Sequence, residues 1–153
     1  MGLDIRRACI EDLAIIADFN AAMARETEGI DLDQAGLFNG VKKLFDTESD
    51  GFYLVAEIDG RVQACLMITY EWSDWRNGRF WWIQSVYVHK EFRKQGLFKK
   101  MYTHVKTMVD SDDTIVGLRL YVEKENQVAR NVYENIGMIE TPYRLYEYSK
   151  KPI

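Results

Sequence analysis

The stretch from Phe80 to Met108 constrains this chain more than any other. Phe80–Val88 is aromatic and β-branched, the composition of a central strand. After a short basic segment, Leu97, Met101, Val105 and Met108 recur at three- and four-residue steps, the spacing of a helix with one buried face. Between strand and helix lies Arg93-Lys94-Gln95-Gly96-Leu97-Phe98. A strand, a glycine turn and a helix start predict an anion site. The first amides of a helix have no intrahelical partner, the positive end of the dipole lies there, and glycine lets the backbone approach a phosphate closely. Charge agrees: His89 to Lys106 holds Lys90, Arg93, Lys94, Lys99, Lys100 and Lys106 against the single acid Glu91, in a chain of net charge -4. On charge alone, a solvated basic helix face is the plainer alternative. The loop lacks the paired glycines and Lys-Ser/Thr of a nucleoside triphosphate loop and the three glycines of a dinucleotide loop, so nucleotide hydrolysis and hydride transfer lose support.

The remaining chain reads as one domain, residues 1–153, since it has two prolines and no Gly/Ser-rich tract that could serve as a linker. Asp4–Ala8 is a first strand, and Asp12 is placed to cap a helix running to about Arg25. A second helix spans about Asp33 to Phe45, with Leu37, Val41, Leu44 and Phe45 inward. Phe52–Ile58 and Val62–Tyr70 flank Asp59-Gly60-Arg61, a tight hairpin turn, and the polar stretch Glu71–Arg79 connects them to the central strand. Gly117–Val122 is a later strand, Asn126 caps a helix ending near Gly137, and Tyr143–Ser149 alternates as a closing strand. The N-terminus has no apolar run behind Arg6 and Arg7, and no window approaches the ~20 apolar residues of a membrane span. Cys9 and Cys65 have no partner at metal-ligand spacing, so no metal site is expected and a reducing cytoplasm is. The acidic total, and lysines without interleaved aromatics, argue against nucleic acid as a partner.

Val86-Tyr87-Val88 followed by residues 93–98 resembles the GNAT superfamily of acyl-CoA-dependent N-acetyltransferases, whose loop signature is Gln/Arg-x-x-Gly-x-Gly/Ala after a strand ending in a hydrophobic pair. The segment from Asn126 through Ala129 and Tyr133 to Gly137-Met138 is similar to the family's second motif. The element order also matches, so the resemblance covers nearly the whole chain. It implies an α/β fold of the α+β type, a mixed, mostly antiparallel central sheet with splayed fourth and fifth strands and about four flanking helices. It further implies acetyl-CoA as co-substrate. The amides of Arg93, Lys94, Gln95, Gly96, Leu97 and Phe98 would hold its pyrophosphate, and backbone groups of Val86 and Val88, with Asn126, would hold its pantetheine arm. Phe98 departs from the family's Gly or Ala, so either its ring turns away from the phosphates or the pyrophosphate sits differently.

The mechanism implied is direct attack of a neutral primary amine on the thioester, then protonation of the departing thiolate. Tyr133, two turns from Asn126 on the same helix face, is the candidate acid. For the base, the fourth strand offers Gln84 and Ser85 where many relatives have Glu. A water ordered by Gln84 is one route; Glu71 or Asp74, beside Trp72 and Trp75, is another. Glu26 would line the acceptor pocket with Trp72, Asp74 and Trp75, and the Trp-rich hairpin is also a candidate homodimer contact. The acceptor is a small-molecule or protein amine. The reading from another class is a non-catalytic acyl-CoA sensor or interaction module on the same fold.

Overall fold

The computed structural model describes residues 2–151 and Ile153. The chain forms two compact units, Met1–Leu120 and Tyr121–Ile153. In the first, β1 (Leu3–Arg7), β2 (Gly51–Ile58), β3 (Arg61–Ser73), β4 (Gly78–Val88) and β5 (Ile115–Arg119) make one sheet in that order. The first three pairings are antiparallel and β4–β5 is parallel. A parallel neighbour requires a crossover, and the crossover carries α3 (Leu97–Asp110). Helices α1 (Leu13–Glu28) and α2 (Gln34–Asp46) fill the connection from β1 to β2.

Period-two alternation assigns the faces of β2 and β3. Tyr53, Val55, Cys65 and Met67 share one face and pack with Leu13, Ile16 and Phe19 of α1 and Val41 of α2. Leu54, Ala56, Leu66 and Ile68 point the other way and are as fully buried. α3 buries a stripe of its own, Leu97, Met101 and Val105, with Met108 half-buried. The β2–β3 hairpin closes on Asp59 and Gly60, both at positive φ (50° and 82°), the geometry that an Asp-Gly pair supplies for a two-residue turn.

Four sequence expectations are corrected. Asp12 precedes α1, but its side chain does not cap it. The carboxylate accepts from the Cys9 amide at 2.8 Å and pairs with Arg6 at 2.8 Å, closing the short 3-10 turn that leads into the helix. Glu71–Arg79 is not a free connection: β3 extends to Ser73 and β4 starts at Gly78, with Glu71↔Phe80 and Trp72↔Arg79 in register. Two cross-strand pairs thus hold a segment whose polar composition suggested a loop. β5 begins two residues before Gly117 and ends at Arg119. In the second unit α4 (Gln127–Asn135) forms as expected, whereas residues 143–149 pair with no strand within that unit, and their alternation alone supplies no ladder. Asp33 does cap α2, accepting from the Gly36 amide at 2.9 Å. Among the described residues no helix is long and apolar enough to cross a membrane.

Candidate active site

β4 changes character halfway along. Its parallel ladder with β5 runs from Arg79↔Ile115 to Trp82↔Arg119, so Ile83–Val88 lies past the paired region. Across β3 the register jumps, Met67 facing Gln84 and Cys65 facing Tyr87, which sets Ser85 and Val86 opposite the single residue Leu66. This is a β-bulge, and Ser85 takes the left-handed conformation (φ 51°) within it. The bulge turns the end of the strand, and the fourth and fifth strands splay there.

The loop follows directly. A 3-10 turn over Lys90–Phe92 leads to Arg93, whose Nε donates to the Val88 carbonyl at 2.8 Å. Lys94 and Gly96 are both left-handed (φ 63° and 75°), and Gly96 is the N-cap of α3. The first helical bond runs from the Lys100 amide to the Gly96 carbonyl at 3.1 Å, so the amides of Leu97, Phe98 and Lys99 stand ahead of the ladder. No heavy atom lies within 4 Å of where a Gly96 Cβ would be, which leaves the approach to these amides open. The Phe98 ring packs toward Tyr102, one turn on, with centroids 6.4 Å apart. Lys94, Gln95, Lys99 and Lys100 are exposed, while Leu97 is buried and anchors the helix start.

Glu26, near the end of α1, has both carboxylate oxygens committed. The Tyr87 hydroxyl donates to one at 2.5 Å and Arg93 Nη2 to the other at 2.7 Å. Those bonds, the Tyr87 hydroxyl's foremost, hold the Glu26 carboxyl below the usual carboxylate range. Burial, and then the bond to Glu26, raise the Tyr87 phenol. Glu26 thus faces the protein's own groups, and Arg93 spends its charge on Glu26 and its Nε on Val88.

On the α1–α2 face of the sheet, Thr69, Glu71, Trp82 and Gln84 line up across β3 and β4 by register. Gln84 Nε2 donates to the Thr69 hydroxyl at 2.9 Å. Glu71 Oε1 accepts from Trp82 Nε1 at 2.9 Å and from Arg119 Nη1 at 2.8 Å, and the Arg119 guanidinium lies 3.6 Å from the Phe80 ring centroid. Glu71 and Gln84 therefore share a surface. Trp72 is on the opposite face of β3, 61% exposed. Asp74 accepts from the Trp75 amide within the hairpin turn, and the Trp75 ring is 92% exposed at its tip. Alternation separates Trp72 from Glu71, so the acidic and aromatic residues of this stretch do not build one pocket.

In the second unit Asn126 is the N-cap of α4, its side-chain oxygen accepting from the Ala129 amide at 3.1 Å. The helix closes on left-handed Gly137 (φ 97°), with the Met138 amide donating to the Tyr133 carbonyl at 3.0 Å. Burial raises the Tyr133 phenol. Sequence reading missed Thr69, Trp82, Tyr87 and Arg119; each acts through a partner 11 or more residues away, which strand register reveals and linear spacing does not. Among the described residues no group of three His, Cys, Asp or Glu could hold a metal.

A mixed sheet whose bulged fourth strand parts from the fifth and feeds a glycine-capped helix defines an acyltransferase-type architecture. The match is specific: the model of the acetyltransferase (GNAT) family fits residues 13–138, and the chain belongs to that family. Membership makes it an acyl-CoA-dependent N-acyltransferase. Its structure is similar to that of a possible acetyltransferase from Clostridium difficile 630, with 49% identity, a TM-score of 0.92, and 98% of this chain and 99% of that one covered. Two more distant structures share the fold. One is a predicted acetyltransferase from Clostridium acetobutylicum solved with acetyl-CoA (18% identity, TM-score 0.77, 96% of each chain covered). The other is the aminoglycoside N-acetyltransferase AAC(6')-Iy with a bisubstrate analogue, CoA-S-monomethyl-acetylneamine (15%, 0.77, 99% and 100%). No curated protein matches the chain.

Proposed function

We propose that this protein binds acetyl-CoA along the end of β4 that lies past its ladder with β5, and along the loop 93–98, and transfers the acetyl group to a primary amine by direct attack. The observation that carries this reading is the junction of the Ser85 bulge with the Gly96 cap. One short run of backbone presents a strand edge for an amide-bearing arm and helix-start amides for a pyrophosphate. Lys94, Lys99 and Lys100 supply cations beside it. Backbone groups at Val86 and Val88 take the pantetheine arm, and a β4 amide at the bulge polarises the thioester carbonyl. The similar fold solved with acetyl-CoA supports this choice of co-substrate.

Tyr133 is the general acid in this reading. Its raised pKa keeps the hydroxyl protonated through the neutral range, ready to donate to the thiolate as the C–S bond breaks. The attacking amine passes its proton, as it adds to the carbonyl, to a water held by the Gln84 carbonyl oxygen and through it to solvent; the Gln84 amide is oriented by Thr69. Glu71, whose Oε1 accepts from Arg119 and Trp82, is the alternative base. Asn126 adds a contact to the pantetheine arm from the start of α4. The acceptor is a small-molecule or protein amine, residues 1–153 act as one domain, and the enzyme works in the cytoplasm. The family match running from residue 13 to 138, across both units, supports the single working domain.

The test is calorimetric titration with acetyl-CoA, CoA and ATP, followed by thiol release against a panel of amines. Micromolar, CoA-selective binding and amine-dependent thiol release are expected. Binding without release on any amine would leave an acyl-CoA sensor; no binding would remove the reading.

A further inference from the structure

We infer that Glu26 is a positioning residue for the cofactor loop, fixing Arg93 so that residues 93–98 hold the shape that receives a pyrophosphate; this rests on the assignment of that loop to CoA. Three elements meet at one carboxylate. Glu26 comes from the last turn of α1, Tyr87 from the end of β4 and Arg93 from the first position of the loop. The guanidinium is held at two points, by Glu26 at 2.7 Å and by the Val88 carbonyl at 2.8 Å, and lies 5.2 Å from the Tyr87 ring centroid. Two bonds and a ring restrict the guanidinium and so tie the start of the loop to α1 and the end of β4.

The residue that follows explains why such a brace is needed. Lys94 sits at φ 63°, a left-handed conformation that disfavours a residue with a Cβ and persists only where the surroundings impose it. Gly96 adopts a similar φ without that cost. Fixing Arg93 on one side, while Leu97 is buried on the other, pins the strained residue between two anchors. The charge arrangement agrees. Glu26 neutralises Arg93, so the phosphate-facing charge falls to Lys94, Lys99 and Lys100, none of which has an ion pair among the described residues. Each Glu26 oxygen already accepts one bond within the protein, from Tyr87 and from Arg93, so the carboxylate is oriented by the end of β4 and the loop.

The experiment is a double-mutant cycle on the full chain with Glu26→Gln, Arg93→Ala and the double variant, titrated with acetyl-CoA and assayed at saturating amine. Each single variant should weaken acetyl-CoA binding about tenfold, and the double should be no weaker than the worse single, because both break the same brace. The KM for acetyl-CoA should rise while kcat at saturation stays within about twofold, a split that a general loss of fold would not produce. Unchanged acetyl-CoA affinity in Glu26→Gln with a raised KM for the amine would make Glu26 an acceptor contact and overturn the inference, as would fully additive losses. Failure of the wild-type protein to bind acetyl-CoA would remove the underlying loop assignment, and that result is seen before any variant is made.

Discussion

The two ends of β4 are built on different principles. At its far end, from Ser85 through Gly96, the distinctive features are in the backbone: a bulge, three left-handed residues and helix-start amides. At its near end they are in side chains that are mutually paired: Glu71 with Arg119 and Trp82, and Gln84 with Thr69. A backbone site tolerates changes of side chain but not of conformation. A paired side-chain surface loses stability when one partner is removed, because the other keeps its charge and loses its counterpart. Chemistry that serves a common cofactor suits the first kind of region, and chemistry that must fit one acceptor suits the second.

Three substitutions sharpen this contrast. Tyr133→Phe removes the proposed acid and should cut kcat at least about tenfold with acetyl-CoA affinity unchanged, read from steady-state rates beside a titration. Retained turnover would take Tyr133 out of the chemistry. Gly96→Val places a β-branched residue at φ 75°, at a cost of about 1–2 kcal/mol, so acetyl-CoA affinity should fall roughly five- to thirtyfold. Since no protein atom would meet the new Cβ, a clash within the protein is not the cause, and an unchanged affinity would move the phosphates elsewhere. Glu71→Ala should act the other way round. It should lower stability by about 1 kcal/mol in chemical denaturation, discounted for the half-exposed pair, with kcat reduced less than about threefold. A hundredfold loss of kcat at unchanged stability would restore Glu71 as the base.

The same contrast explains what the sequence revealed. The loop's helix was legible because glycine spacing, a helical apolar period and local charge are all properties of consecutive residues, and α3 does start at Leu97 with Leu97, Met101 and Val105 buried. The cap at Asn126 and the Asp59-Gly60 turn were legible for the same reason. The near end of β4 was not. That Glu71 is held by Arg119, 48 residues on, depends on strand order and register, and the alternation that sends Trp72 to the other face appears only once the hairpin is known to be paired as far as Ser73. Glu26 is the sharpest case. Its position suggested an acceptor pocket, and its bond to Arg93, 67 residues on, is a contact that linear spacing does not reveal.

Amide hydrogen exchange of the whole chain, with and without saturating acetyl-CoA, tests the central claim most directly. Protection concentrated in residues 85–99, with the β3–β4 hairpin tip at 74–77 unaffected, is the outcome expected of a cofactor held by backbone at the splayed end of β4. Protection centred on the hairpin, or absent from the loop while acetyl-CoA is bound, would contradict it.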